Sequence, residues 1–99
     1  MKIRALEREL PGAMSDQFQS FAKAEACKVW ELHQSGVIRE LYFRADRNEA
    51  VLVLECASVA KAQESLASLP FVQIGLIGFE LLPLKAYPGF ARLFVEREV

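Results

Sequence analysis

Glu25 is the residue of this sequence most suited to chemistry, because a carboxylate stands there among the apolar residues of a predicted helix. At about 100° per residue, Glu25 lies only about 20° from Phe18 around the helix axis. The other apolar residues within roughly 60° of Phe18 are Phe21, Ala22, Val29 and Leu32. Burial of a lone carboxylate is costly unless the group is protonated, paired or exposed to a polar cavity. The pattern therefore predicts a cavity wall at Glu25.

Two roles for Glu25 are consistent with this position. In a cavity, desolvation would raise the pKa of the carboxyl toward neutrality, which suits a base that shuttles a proton next to a carbonyl group. In a structural role, the carboxylate would accept a hydrogen bond from a strand-end amide or pair with a core-facing arginine. We assign the catalytic role to Glu25 and retain the structural role as its alternative.

Four further residues are candidates for binding a small ligand near Glu25, namely Trp30, His33, Arg39 and Tyr42. Arg39 interrupts an apolar run in a predicted strand, and it is the preferred partner of Glu25 because a charge among apolar residues needs neutralising. A guard against sheet-to-sheet aggregation at an edge strand is an equal alternative for Arg39. Tyr42 is expected on the opposite face of that strand. Both side chains therefore enter one pocket only if the strand contains a bulge.

The two aromatic candidates of the helix lie off its apolar stripe. His33, the only histidine, falls about 60° from the stripe near the helix end, which is consistent with a pocket rim or with a favourable interaction with the helix dipole. Trp30 lies about 120° away and fits a groove or subunit contact better than the core. One histidine without Asp, Glu or Cys at ligand spacing cannot complete a metal site. No phosphate-binding loop or nucleophile elbow is present, so we expect neither a metal nor a cofactor.

The 99 residues predict a single domain, residues 1–99, with a net charge of −1. This balance removes the electrostatic case for binding nucleic acid or an acidic membrane. The sequence has no signal-peptide pattern and no apolar run of the roughly 18 residues that a membrane span needs. Cys27 and Cys56 form no CxxC motif. We therefore expect a cytoplasmic, reduced protein with free thiols, and a Cys27–Cys56 disulfide is the alternative.

Turn residues and hydrophobic periodicity divide the chain into six elements. The predicted order is a strand at 1–9, a helix from Ser15 to Gly36, strands at 37–44 and 50–56, a helix from Ser58 to Pro70, and a long strand at 71–82. Ser15 with Asp16, and Ser58, are predicted to cap the two helices, and Gly36 is predicted to end the first. This βαββαβ order predicts an α+β, ferredoxin-like fold, in which two helices cover one face of a four-stranded antiparallel sheet.

Apolar residues occupy both faces of the last two predicted strands. Val51 and Val53 point to one face, whereas Leu52 and Leu54 point to the other. Because the helices cover only one face, we expect two sheets to pack face to face in a homodimer or larger homo-oligomer, forming a dimeric α/β barrel. The tail, residues 86–99, is expected to pack on a neighbouring subunit. The alternative is a monomer in which residues 86–94 cover the open face.

Two segments carry a resemblance to a known family. They are Glu31-Leu32-His33-Gln34-Ser35-Gly36, at the end of the first helix, and Leu66-Ala67-Ser68-Leu69-Pro70, which closes the second. With a β-rich segment after each, the chain from about Lys23 to Pro88 resembles the muconolactone isomerase family of the dimeric α/β barrel superfamily. In an alignment anchored on Ser35 and Gly36, Glu25 falls on the glutamate of that family's first helix.

The resemblance implies an isomerase that moves a proton within an unsaturated lactone or small organic acid, in the catabolism of aromatic compounds. Such a reaction needs one group that removes a proton from carbon and returns it at a vinylogous position, and a donor such as Arg or Tyr at the enolate oxygen. The alternative is a non-catalytic dimeric module that binds an apolar small molecule or serves in assembly. A cofactor-independent monooxygenase is a third reading, based on fold analogy alone.

Overall fold

The computed structural model of the protein describes residues 1–95. The elements are β1 (Lys2–Glu9), α1 (Ser15–Gln34), β2 (Ile38–Phe43), β3 (Ala50–Glu55), α2 (Val59–Ala67), α3 (Pro70–Gln73), β4 (Ile77–Pro83) and a 3-10 helix (Gly89–Phe94). The four strands form one sheet in the order β2-β3-β1-β4, and every pair is antiparallel. The predicted α+β, ferredoxin-like fold is confirmed.

The core lies between the helices and the sheet face formed by alternate residues of the strands. Ile3 and Ala5 of β1 stand opposite Leu54 and Leu52 of β3, and all four are buried. The side chains that complete this core are Leu32, Ile38, Ala62, Leu66 and Leu69. Because side chains alternate across a strand, residues 3, 5 and 7 of β1 share the helix-covered face. The core therefore ends at Glu7, close to α1.

The ends of α1 differ partly from the prediction. Met14 rather than Ser15 is the residue that precedes the helix, and the side chain of Gln17 accepts a hydrogen bond from the Met14 backbone N–H at 3.2 Å. The capping prediction for Ser15 is therefore wrong, because a glutamine one turn later reaches back to the free amide. The glycine stop is confirmed, since Gly36 has φ +85° and the Val37 N–H donates to the carbonyl of Leu32.

The long final strand that was predicted for residues 71–82 is wrong. Pro70 is the first residue of α3, where its fixed φ suits the helix and its missing N–H costs nothing. Gly75 then takes φ +77°, a left-handed conformation that glycine adopts without strain, and β4 begins only at Ile77. The apolar content of this segment resembles a strand, but Pro70 and Gly75 interrupt it. The extra helix brings the Phe71 amide to α1.

A bulge interrupts β2, the edge strand that lies beside β3. The pairing register shifts between Ile38 and Glu40, which leaves Arg39 without a direct partner across the ladder. An extra residue of this kind turns the side chain at the bulge relative to its neighbours. Arg39 and Tyr42 can enter one pocket only if β2 contains a bulge, and this condition is met.

The sheet face opposite the helices is partly apolar. Its half-buried side chains are Leu6, Val51, Val53 and Leu82, and the charged residues among them include Arg4 and Arg8. The tail does not cover this face, because Phe90, Leu93 and Phe94 are 66%, 75% and 84% exposed. The alternative of a monomer with its tail over the sheet is therefore wrong. The dimer and the tail contact with a neighbour stay predictions, and residues 96–99 lie outside the described part of the chain.

Two smaller predictions concern the thiols and the membrane. Cys27 is exposed and Cys56 is half-buried, and both are free, so the alternative of a disulfide between them is excluded. Within residues 1–95, no helix is both long enough and apolar enough to cross a membrane.

Candidate active site

A cavity of about 450 Å³ lies between α1, α3 and the helix-covered face of the sheet. Its walls are formed by Glu7, Ala22, Glu25, Ala26, Val29, Leu41, Tyr42, Phe43, Ala50, Leu52, Leu69, Phe71 and Phe79. Only two of these residues carry a formal charge, and both are glutamates. Most of the wall is apolar, as is usual in sites that bind small organic molecules. We call this space the glutamate cavity.

Glu25 reaches the glutamate cavity from the middle of α1. It is half-buried, and its Oε1 accepts a hydrogen bond from the backbone N–H of Phe71 at 2.9 Å. Burial raises the pKa of the Glu25 carboxyl, and the hydrogen bond from Phe71 opposes part of that increase because it favours the ionised form. The amide that Glu25 binds belongs to the first turn of α3 rather than to a strand end. One carboxylate has lone pairs for more than one partner, so this contact leaves Glu25 able to act on a ligand.

Two aromatic rings hold α3 against α1 near Glu25. The ring of Phe18 meets the ring of Phe71 edge to face, with centroids 5.1 Å apart. Phe18 is one of the apolar residues that define the stripe of α1, so the same periodicity that places Glu25 also places this contact. The position of the Phe71 N–H, and with it the orientation of Glu25, therefore depends on packing between two helices.

Glu7 is the functional candidate that the sequence analysis missed. Burial raises the pKa of the Glu7 carboxyl from 4.5 to about 7; the charges of Glu49, Glu25 and Glu9 add to the increase, and the backbone of Ala50 opposes it. A signal for this residue was present in the sequence, because Glu7 continues the period-two series of Ile3 and Ala5 onto the buried face. The loose alternation of this segment was used only to predict a strand.

The four residues predicted to bind a ligand meet in a second cavity of about 520 Å³, which we call the edge cavity. Its walls are Ala26, Val29, Trp30, His33, Arg39, Glu40, Leu41 and Tyr42. Four residues, Ala26, Val29, Leu41 and Tyr42, belong to both cavities, so the two spaces adjoin along β2. The structure thus brings together Trp30, His33, Arg39 and Tyr42, and places Glu25 in the neighbouring space.

The predicted ion pair between Arg39 and Glu25 is wrong. The Arg39 Nε donates to the carbonyl oxygen of Gly36 at 2.6 Å, and among the described residues no carboxylate lies within salt-bridge distance of its guanidinium. The bulge at Arg39 explains this, because it directs the side chain to the end of α1. Since β2 is an edge strand, the position of Arg39 agrees with the alternative role that the sequence left open.

Hydrogen bonds fix two polar side chains of the edge cavity. Because a carbonyl oxygen only accepts, the 3.0 Å contact between His33 Nδ1 and the oxygen of Ile38 requires a proton on Nδ1. The hydroxyl of Tyr42 donates to Glu40 Oε1 at 2.8 Å, and this bond raises the pKa of Tyr42. The rings of His33 and Trp30 lie 5.9 Å apart. The edge cavity therefore presents a guanidinium, a fixed imidazole and an exposed indole.

Within residues 1–95, no three His, Cys, Asp or Glu side chains come together in a group that could hold a metal ion.

No protein-family model and no curated protein sequence matches the chain. Solved structures do match it. A crystal structure of muconolactone isomerase is similar with a TM-score of 0.73 and 20% identity, over 89% of this chain and 92% of that chain. The 5-chloro-2-hydroxyhydroquinone dehydrochlorinase from Burkholderia phenoliruptrix, in complex with 2,5-dihydroxybenzoquinone, is similar with a TM-score of 0.67 and 15% identity, over 90% and 98%. In both of these proteins the fold carries an enzyme for small molecules. The chain therefore has the fold of muconolactone isomerase.

Proposed function

We propose that this protein is a small proton-transfer enzyme, an isomerase of the muconolactone isomerase type that acts on an unsaturated lactone or small organic acid. The observation that carries the proposal is the half-buried carboxylate of Glu25 in the wall of a cavity of about 450 Å³ with mostly apolar walls. Burial raises the pKa of Glu25, and a base for carbon acids works best when its pKa approaches the working pH. Glu25 moves a proton between the carbon next to the carbonyl group and the vinylogous carbon.

In this proposal, one substrate molecule occupies both adjoining cavities, with a different part of the molecule in each. The glutamate cavity contains no cation, so it suits a neutral, unsaturated part of a molecule and repels a carboxylate. The edge cavity offers Arg39 and His33 for an anionic group and Trp30 for stacking against a planar one. We therefore place the carboxylate of an organic-acid substrate at Arg39 and its reacting carbon near Glu25. Tyr42 belongs to both walls and marks the passage between them.

Assembly into a homodimer is part of the proposal. The half-buried residues Leu6, Val51, Val53 and Leu82 give the open sheet face an apolar centre that another copy of the same face would cover. The tail adds an exposed apolar surface at Phe90, Leu93 and Phe94, which suits a contact with a neighbouring subunit.

Deuterium exchange tests the role of Glu25. Muconolactone is incubated with the protein in deuterated buffer, and uptake of deuterium at carbon is followed by NMR. We expect uptake with the wild type and none with Glu25→Gln. Glu31→Gln is the matched control, because Glu31 lies on the same helix, is exposed, and pairs with Lys28 outside the glutamate cavity. Equal exchange rates for wild type and Glu25→Gln would remove Glu25 from the mechanism.

The second candidate function is a non-catalytic module that binds a small organic acid. The hydrogen bond from Phe71 to Glu25 favours it, because that bond gives the carboxylate a structural use. Binding of muconolactone by the wild type, seen by NMR without any uptake of deuterium, would support this candidate over the isomerase.

A further inference from the structure

An enolate that forms in the glutamate cavity needs a hydrogen-bond donor at its oxygen. The wall of the glutamate cavity offers few such donors. Its polar side chains are Glu7, Glu25 and Tyr42, and the hydroxyl of Tyr42 already donates to Glu40. Arg39, the donor that the sequence suggested, lines the edge cavity instead. The remaining side chain that can donate, once it carries a proton, is a carboxyl group.

Charges around Glu7 favour its protonated form. Glu25 faces it from α1, Glu49 from the turn that precedes β3, and Glu9 from β1 itself, and each raises the pKa of Glu7. Glu49 is partly neutralised by Arg44 and Arg47, at 3.9 and 3.6 Å.

Among residues 1–95, the remaining neighbours of Glu7 carry no charge that would reverse this effect. From β4 and α3 the cavity receives Phe79 and Phe71. Arg4 and Arg8 lie at alternate positions of β1 and line a hollow on the opposite face of the sheet. Together with burial, the acidic neighbours therefore favour a neutral Glu7.

Each glutamate of the cavity has a backbone hydrogen bond that favours its ionised form, from the Phe71 N–H at 2.9 Å for Glu25 and from Ala50 for Glu7. Burial and the neighbouring acids raise the pKa of Glu7 to about 7. Two carboxyl groups that share one apolar space seldom ionise together, because each charge disfavours the other. Because the neighbouring acids add to burial at Glu7, Glu7 is the member of the pair that holds a proton more tightly.

We propose that Glu7 is a second catalytic residue, whose protonated carboxyl donates a hydrogen bond to the carbonyl oxygen of the substrate and stabilises the enolate while Glu25 moves the proton. This role rests on the proton-transfer function proposed above. A neutral carboxylic acid in an apolar site is a known kind of oxyanion donor in isomerases of other folds.

The proton and electron balance of this reaction closes within the cavity. In the direction that starts from a β,γ-unsaturated lactone, the Glu25 carboxylate takes a proton from the carbon next to the carbonyl, and the pair of the broken C–H bond becomes the enolate double bond. The carbonyl π pair moves to the oxygen, which the Glu7 hydroxyl binds without losing its proton. The Glu25 carboxyl then delivers its proton to the vinylogous carbon, where the pair of the remote carbon–carbon double bond forms the new C–H bond. The enolate double bond becomes the new α,β double bond, and the carbonyl reforms. An α,β-unsaturated lactone such as muconolactone passes through the same enolate in the reverse order, with its vinylogous carbon losing the proton. Both glutamates return to their starting protonation states.

A consequence is a bell-shaped dependence of the exchange rate on pH. The rate falls at low pH as Glu25 gains a proton, and it falls above about pH 7 as Glu7 loses one. Glu7→Gln removes the alkaline limb, because the amide does not titrate.

Two measurements on the full chain test the proposal. The first uses para-nitrophenol as a probe whose oxygen resembles that of an enolate, with binding followed by absorbance and Glu side chains observed by carbon NMR. We expect the probe to raise the pKa of Glu7 and to bind at least tenfold more weakly to Glu7→Leu. The second measures deuterium exchange into muconolactone. We expect about a hundredfold loss of rate in Glu7→Leu, at the low end for an oxyanion donor, and a smaller loss in Glu7→Gln, whose amide still donates.

Glu31→Gln is again the matched control, because it removes an exposed carboxylate that lies outside the cavity wall and is not among the charges acting on Glu7. The outcomes separate the two proposals. If Glu25→Gln stops exchange while Glu7→Leu retains the wild-type rate and probe affinity, Glu7 is not the donor and the proton-transfer function stands. If para-nitrophenol binding weakens in Glu7→Leu but the wild type incorporates no deuterium into muconolactone, Glu7 is a donor site and the lactone isomerase function fails. An ionised Glu7 at pH 6 in the NMR titration overturns the inference directly.

Discussion

Replacing Glu7 with glutamine should stabilise the protein at alkaline pH. The folded pKa of Glu7 is raised from 4.5 to about 7, so the folded state holds the proton more tightly than the unfolded chain does. The wild type therefore loses stability as the pH rises through that interval, and the loss is complete above the folded pKa. A shift of this size corresponds to about 3 kcal/mol. Solvent screening of a partly exposed group reduces it to roughly 1–2 kcal/mol.

Urea denaturation of the wild type, Glu7→Gln and the control Glu31→Gln across about pH 4 to pH 8.5 measures this effect. The free energy of unfolding of Glu7→Gln should match that of the wild type near pH 4 and exceed it by roughly 1–2 kcal/mol near pH 8.5. At about 4–8 °C per kcal/mol for a domain of this size, the melting temperature should rise visibly. The difference in unfolding free energy between Glu31→Gln and the wild type should change much less with pH, because Glu31 is exposed and lies outside the glutamate cavity. A difference between Glu7→Gln and the wild type that stays constant with pH would refute the assigned environment of Glu7.

Three further predictions concern the helix contact, the sheet face and the tail. Glu25→Ala leaves the Phe71 N–H without its acceptor and should cost about 1–3 kcal/mol of unfolding free energy, whereas the amide oxygen of Glu25→Gln still accepts and should cost much less; equal losses would show that this bond is not structural. Light scattering should give twice the chain mass for the wild type and the single mass for Val53→Asp, which places a charge on the open sheet face; a monomeric wild type contradicts the sheet-to-sheet dimer. Truncation after Pro88 removes Phe90 and the rest of the exposed apolar tail, and should lower the melting temperature or weaken larger assembly; if neither changes, the tail makes no subunit contact.

Local sequence signals account for most of the fold. Periodicity and turn residues place four strands and two long helices, and the side chain of Ser58 caps α2 by accepting the Lys61 N–H, as predicted. The segment at 70–76 is different, because its apolar residues are compatible with strand or helix. Pro70 at a first helical position and the left-handed Gly75 decide in favour of a short helix and a turn.

The candidate site was only partly accessible to the same signals. Helical periodicity found Glu25, because an acid in an apolar stripe is conspicuous within a single element. The bulge at Arg39 was not predictable, since it depends on how β2 pairs with β3. It separates Arg39 from Glu25 and gathers it with Trp30, His33 and Tyr42 in the edge cavity.

Sequence alone determined which face of α1 is turned toward the sheet and that a carboxylate lies on it. Once the helix forms, its 3.6 residues per turn fix which side chains share a face. The tertiary structure alone decided the partner of Glu25 and the importance of Glu7. Glu7 is 18 residues before Glu25 in the chain, and its environment comes from α1, from the turn that precedes β3, and from β4. Burial and charge at a residue are sums over neighbours that are distant in sequence. They exist only after the chain has packed.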